Sequence, residues 1–261
     1  MTVSNGAAQP AAHRQRLLFR CLSLIVFFLF WQILSAAIAD PAMLPGPLAT
    51  LSVAWSELLH GELLYHVGIT LLRVTAAFCG AMIVGVAVGI TFGRLALVDD
   101  LFDSWLVIAL NVPALVTIVL CYVWFGLSEV AAILAVALNK APTVVAITRE
   151  GARSLDRSLL EMAAVFRVPR LRVIRRIVLP QLAPSIMAAA RTGLALTWKI
   201  VLVVELLGRP DGVGFQIRRF FNYFDIAGIL AYTLVFVAVI LAIETLILRP
   251  LDRELSRWRK V

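Results

Sequence analysis

Six apolar runs, about 17–39, 66–92, 101–122, 129–148, 183–207 and 226–248, alternate with short polar segments along the 261 residues. A helix rises about 1.5 Å per residue, so runs of about 20 residues or more can cross a hydrocarbon core of about 30 Å. The pattern predicts an all-α fold, a polytopic membrane protein with six transmembrane helices. The first run ends in Ala37-Ile38-Ala39, which looks like a signal-peptidase site. It is too long for the hydrophobic part of a signal peptide and reads as a retained span. Residues 1–13 are small and polar and are expected to be disordered, within a tail of residues 1–16. Residues 17–261 are expected to form one transmembrane domain.

The longest polar interruption, Arg149 to Pro184, carries eight arginines against Glu150, Asp156 and Glu161. Leu155, Leu159, Leu160, Ala163, Ala164 and Phe166 recur within it at helical spacing and predict a short amphipathic helix. A second helical pattern, with Leu171, Ile174, Ile177 and Val178 on one face, follows Pro169 and is expected to end at Leu179-Pro180. Proline disfavours the α conformation in the residue before it and suits the first position of a helix, so a break is expected around residues 167–169. The connection from Asp40 to about Tyr65 opens with Pro41, Pro45 and Pro47, and Leu48–Leu64 has a weak helical pattern suited to the membrane surface. Gly85, Gly89 and Gly93, four residues apart, predict close packing against another helix. The stretch Gly208–Gly214 is turn-forming.

Composition agrees with this reading: 61% of residues are hydrophobic, 15% are charged and the mean hydropathy is +0.93. A net charge of +8 in a soluble protein would suggest nucleic acid. Here 17 of the 24 Lys and Arg fall in the N-terminal tail, the 93–100 link, the central segment and the C-terminal tail. The positive-inside rule is the better account of that bias, so no nucleic-acid partner is expected, and it places both termini and the central segment in the cytoplasm. Cys21, Cys79 and Cys121 have no paired spacing, so neither a disulfide framework nor a metal site is indicated. His13, His60 and His66 all fall outside the interiors of the expected spans, which argues against an intramembrane enzyme.

Glu161-Met162-Ala163-Ala164, the break at 167–169, and Ile177-Val178-Leu179-Pro180 together resemble the "EAA" cytoplasmic loop of bacterial ABC importer permeases. Thr70-Leu71-Leu72-Arg73 with Phe78, Trp124-Phe125-Gly126-Leu127 and Val203-Val204-Glu205-Leu206-Leu207-Gly208 resemble the nitrate, sulfonate and taurine branch. The resemblance implies a type I importer in the bacterial inner membrane. Two permease copies, a homodimer by expectation, would work with a cytoplasmic ATPase pair that binds ATP and Mg, and with a periplasmic substrate-binding protein. It further implies a coupling loop over residues 149–182, with Arg157, Ser158, Glu161, Ala163, Ala164, Arg167 and Pro169 docking the ATPase. Arg167 stands where the family carries glycine and cannot relax the backbone as glycine does. For Arg170, Arg172, Arg175 and Arg176, anchoring at lipid headgroups is an equal alternative. The chain holds no Gly-rich phosphate loop with a following Lys, so hydrolysis is assigned to the partner. An ion-gradient-driven secondary transporter is the competing reading, which inverted repeats would favour; no convincing internal symmetry is visible.

Polar residues within spans are costly and mark function. Asn111, Asn139, Lys140, Lys199 and Glu205 are candidates to line a translocation path, where cationic walls would suit a small anion. An ion pair of a lysine with Glu205 or Glu129 is the equal alternative. Arg73 and Arg191 are expected to snorkel toward the interfaces, and Glu244 to reach water or Arg249. Arg209, Asp211, Arg218 and Arg219, in the link 208–224, are candidates to meet the binding protein.

Overall fold

The structure, a computed structural model, describes the backbone of residues 8–248 and 250. The chain runs α1 (Ala8–Ile38), α2 (Pro47–His60), α3 (Leu63–Arg94), α4 (Ala96–Asn111), α5 (Ala114–Phe125) and α6 (Glu129–Arg153). It continues through α7 (Arg157–Val165), α8 (Arg170–Val173), α9 (Leu179–Gly208), α10 (Val213–Asn222) and α11 (Ile226–Ile243). Helix begins at Ala8, inside the stretch expected to be disordered; residues 1–7 and most of the basic C-terminal tail lie outside the described residues.

A stripe of small residues sets the central packing. A Cβ on Gly85 would lie 2.6 Å from Val144 Cβ, one on Gly89 2.7 Å from Thr148 Cβ, and one on Gly93 2.5 Å from Ala152 Cβ. Only the missing side chains let α3 and α6 approach this closely. Both numbers of each pair rise together, so α3 and α6 run parallel. The segment joining them must therefore travel back across the full depth of the layer. α4 and α5 make that crossing with their axes 96° apart.

The expected straight third span, 101–122, is thus corrected to an elbow. Pro113 has no N–H to continue the ladder and forces Val112 out of the helical region, to φ −69°, ψ 123°. Asn111 stands exposed at the bend, its amide donating to Val107 O at 2.8 Å. Among the described residues, α3, α6, the continuous helix Arg170–Gly208 and Ile226–Leu246 are long and apolar enough to span a membrane, and the bent pair adds one more crossing. The first expected span, about 17–39, falls on α1, whose described apolar part, Leu22–Ile38, is shorter than the other spans. Its side chains from Leu22 to Phe30 are exposed all round, and it is hooked to the following segment by Trp31 Nε1 donating to Pro45 O and Ser35 Oγ donating to Leu44 O.

α9 runs antiparallel to α6. A Cβ on Gly151 would meet Ser185 near one end of the pair, and Arg209 reaches Glu129 at the other. Val74, Ala77, Ile118, Cys121, Val136 and Val201 fill the space where α3, α5, α6 and α9 meet. α2 and α10 cover α11, with Tyr232 Oη donating to Glu57 Oε2 at 3.0 Å.

The helix after Pro169 does not stop at Leu179-Pro180 as expected. It passes through a π-helical turn, Ile174–Val178, directly into α9. Leu179 N–H reaches back five residues to Ile174 O, a widening that accommodates the missing donor of Pro180. Arg149 and Arg153, read as loop residues, belong to the last turns of α6.

Candidate functional site

Two polar assemblies lie at opposite ends of the bundle. At the first, Arg73 is buried on α3 with all five of its donors used. Nε and Nη2 form a bidentate pair with Glu129 at 2.9 and 2.5 Å, Nη1 donates to Glu205 Oε1 at 2.8 Å and Asp211 O at 2.9 Å, and Nη2 also meets the Asp211 carboxylate. Arg209 adds Nη2 to Glu129 Oε1 and Nη1 to Leu127 O, both at 2.6 Å. The cluster holds two guanidinium groups against three carboxylates and ties α3, α6 and α9 to the segment after α9.

The same segment opens α10, whose first N–H groups find side-chain acceptors from other helices. Gly212 N–H donates to His66 Nδ1 at 3.0 Å, Val213 N–H to Thr70 Oγ1 at 2.9 Å, and Gly214 N–H to Glu205 Oε2 at 2.9 Å. These satisfy orphan donors and place a carboxylate at the positive end of the helix dipole. Glycine is required at 212, where φ is +101° and a Cβ would lie 2.3 Å from the Glu205 carboxyl carbon. It is required at 214 as well, because a Cβ there would lie 2.2 Å from Leu202 O.

This geometry corrects several expectations. Arg73 does not snorkel; it is the hub. Glu205 does not line a path, since it is fully enclosed and both its oxygens are occupied by Arg73, Thr70 and Gly214. The arginines Arg73 and Arg209, and no lysine, neutralise Glu129 and Glu205. His66 lies buried inside the bundle, against the Gln216 amide. Of the four residues expected at a binding-protein contact, Arg209 is buried and Asp211 is locked to Arg73. Arg218 donates to Leu206 O and Arg209 O, which leaves Arg219 as the exposed charge. The signal available in the sequence was the pair of opposite charges Arg73 and Glu205, both inside spans and each needing a counter-ion.

Of the remaining path candidates, Asn139 is half-buried and Lys140 is buried on α6, and no acidic group among the described residues pairs with Lys140. Lys199 lies on an exposed face of α9, its Nζ 5.5 Å from the Trp198 ring centroid, and shares that face with Thr192 and Ala195. The α6–α9 register sets Lys140 and Lys199 at similar depth but on different faces. Neither Arg191 nor Glu244 is without a partner.

At the opposite end, α7 is capped on both sides. Asp156 Oδ1 accepts from Ser158 N–H at 2.8 Å. At the C-terminus Val168 N–H donates to Ala163 O and Arg167 N–H to Ala164 O, a Schellman motif that places Arg167 at φ +49°. Arg167 therefore takes the conformation for which glycine is suited, and Pro169 starts α8 behind it. Left-handed backbone costs a non-glycine residue about 1–2 kcal/mol, partly offset because glycine loses about 0.5–1 kcal/mol more chain entropy. Arg167→Gly should stabilise the protein by about 0.5–1 kcal/mol, seen as a raised thermal unfolding midpoint in detergent; a lowered midpoint would contradict the strain.

α7 turns Ala163 inward onto the protein, against the expectation that it meets a partner. Arg157, Ser158, Glu161 and Ala164 are exposed, and Val165 and Phe166 are 79% and 74% exposed. Leu159, Met162, Ala163, Phe166, Val168 and Ile177 line a shallow groove of about 220 Å³ along this helix.

Residues 81–256 match the family described as binding-protein-dependent transport system inner membrane component. The chain belongs to this family. It is similar to the putative aliphatic sulfonates transport permease protein SsuC of Bacillus subtilis, 30% identical with 90% of this chain and 85% of the relative covered. It is 26% identical to the taurine transport system permease protein TauC of Escherichia coli, over 90% and 86% of the two chains. It is 24% identical to the nitrate import permease protein NrtB of Synechocystis, over 77% and 76%. The fold is that of a chain in the inward-facing MetNI methionine ABC transporter, with a TM-score of 0.67 at 16% identity, covering 77% of this permease and all of that chain. The permease is thus a multi-pass inner-membrane transport subunit of an ABC importer, a family in which a separate ATPase hydrolyses ATP.

Proposed function

We propose that the permease docks its ATPase through α7 and pairs with a second copy of itself to form the path for a small anion of the sulfonate, taurine or nitrate kind. The observation that carries the docking reading is the build of α7: capped at both ends and presenting an exposed face with Glu161, Val165 and Phe166 outward. The Arg-rich composition of this end supports a cytoplasmic position for it and for both termini. The Arg73 end would then face the periplasm, with Arg219 on α10 available to the binding protein. Lys199 supports the pairing of two copies. A charge on an exposed mid-span face is costly in lipid, whereas between two copies the face can line a watery path. ATP and Mg belong to the partner ATPase.

Glu161→Lys and Ala164→Arg, made separately, should each lower co-purification of the ATPase at least tenfold and leave the permease folded. A complex that survives both changes with solute-stimulated ATP hydrolysis intact would rule out docking through α7.

A further inference from the structure

The α7 end holds a second ion cluster that the docking helix does not itself contain. Asp99, on the first turn of α4, is buried, and its two oxygens meet Arg149 Nη1 at 3.1 Å and the Arg153 guanidinium, both on the last turns of α6. Arg149 also meets Asp103 at 2.5 Å, and Arg153 meets Glu150 at 2.9 Å. Apart from these ion pairs, α4 is held by its short link to α3 and by Phe102 stacked on Phe92, ring centroids 5.8 Å apart. Only Asp99 and Leu106 are buried along it, while Leu97, Leu101 and Trp105 are exposed. On the other side of the cluster, α7 is joined to the ends of α6 and α9 at its N-terminal end, where Leu160 packs against the group they form. Asp156 N–H donates to Gln181 Oε1 at 2.9 Å, and Ala152, Leu155, Val178 and Leu182 pack as one buried group. A displacement of α7 thus moves the end of α6 with it. The charged clamp is the polar tie through which that displacement reaches α4, and α4 leads to the elbow at Asn111–Pro113.

We propose that Asp99, held by Arg149 and Arg153, is a positioning residue of coupling: it carries movement from the docking helix to the bent α4–α5 crossing. The inference rests on the reading of α7 as the ATPase dock. Neutralising Asp99 leaves α7 and its exposed face untouched and loosens only the grip on α4.

The test uses the permease reconstituted in vesicles with its ATPase and binding protein, measuring solute uptake per ATP hydrolysed alongside the unfolding midpoint. Asp99→Asn should keep the ATPase bound and hydrolysing while uptake per ATP falls at least tenfold, and Asp99→Glu should restore at least half of it. Arg153→Gln, at the more exposed partner, should reduce uptake per ATP in the same direction by a smaller factor. It carries the test if Asp99→Asn does not fold. A lowered midpoint with unchanged uptake per ATP would make the clamp merely structural and overturn the inference. Failure of the docking reading is separately visible, because it appears as an ATPase retained by the α7 variants.

Discussion

Replacing Arg73 by Ala should destabilise the permease by about 3–5 kcal/mol, the penalty typical of removing one partner from a buried ion pair. Most of the cost falls on Glu205. Its side chain is 0% exposed and keeps only Thr70 and Gly214 as donors once the guanidinium is gone, whereas the Glu129 side chain is 46% exposed and can be hydrated. Arg73→Lys should recover only part of the loss, because an ammonium has three donors where the site uses five in a planar fork. The double change Arg73→Ala with Glu205→Gln should be milder than Arg73→Ala alone, since no charge is then left enclosed. Denaturant or thermal unfolding in detergent measures all three. A loss below about 1 kcal/mol for Arg73→Ala would mean that the cluster behaves as a solvated surface network.

The second large effect is expected at the α3–α6 seam. Gly89→Val should cost about 1–3 kcal/mol or more by overpacking, because a Cβ there lies 2.7 Å from Thr148 Cβ and 2.8 Å from Val145 O. One of those atoms is backbone, so no rotamer change relieves the contact and the helices must part. Gly80→Ala is the control on the same helix. Its added Cβ finds Ala137 Cβ at 3.9 Å, an ordinary contact, and should be close to neutral. Equal losses at both positions would show that approach distance does not set the requirement for glycine, since either change raises helix propensity.

The seam could be read from the chain because small residues four apart on an apolar helix have packing as their ordinary use. The short helix before Arg167 and the break after it were legible for a similar reason, since apolar spacing and a proline act within a few residues. The left-handed backbone at Arg167 was not, because an arginine carries no local preference for it and the capping pattern around it imposes it. The Arg73 cluster joins residues 56 and 132 positions apart in sequence. Position inside a span marked Arg73 and Glu205 as costly, yet snorkelling was expected for Arg73 and a lysine partner was an open alternative for Glu205. Only the parallel α3–α6 pair and the antiparallel α9 bring the two together. α10 was read as part of a loop, because its glycines signal turns when the Glu205 side chain they make room for is out of view.

The elbow alters how the membrane crossing between α3 and α6 should be measured. α4 and α5 have 16 and 12 residues, about 24 and 18 Å of helix, so at 96° their far ends stand only about 28 Å apart. Laid straight, the same residues would extend about 42 Å, well beyond a hydrocarbon core of about 30 Å. This crossing therefore holds surplus contour that a rigid span lacks, and widening or closing the angle changes the depth it covers without unwinding a turn. Its reach is set by an angle and not by its residue count.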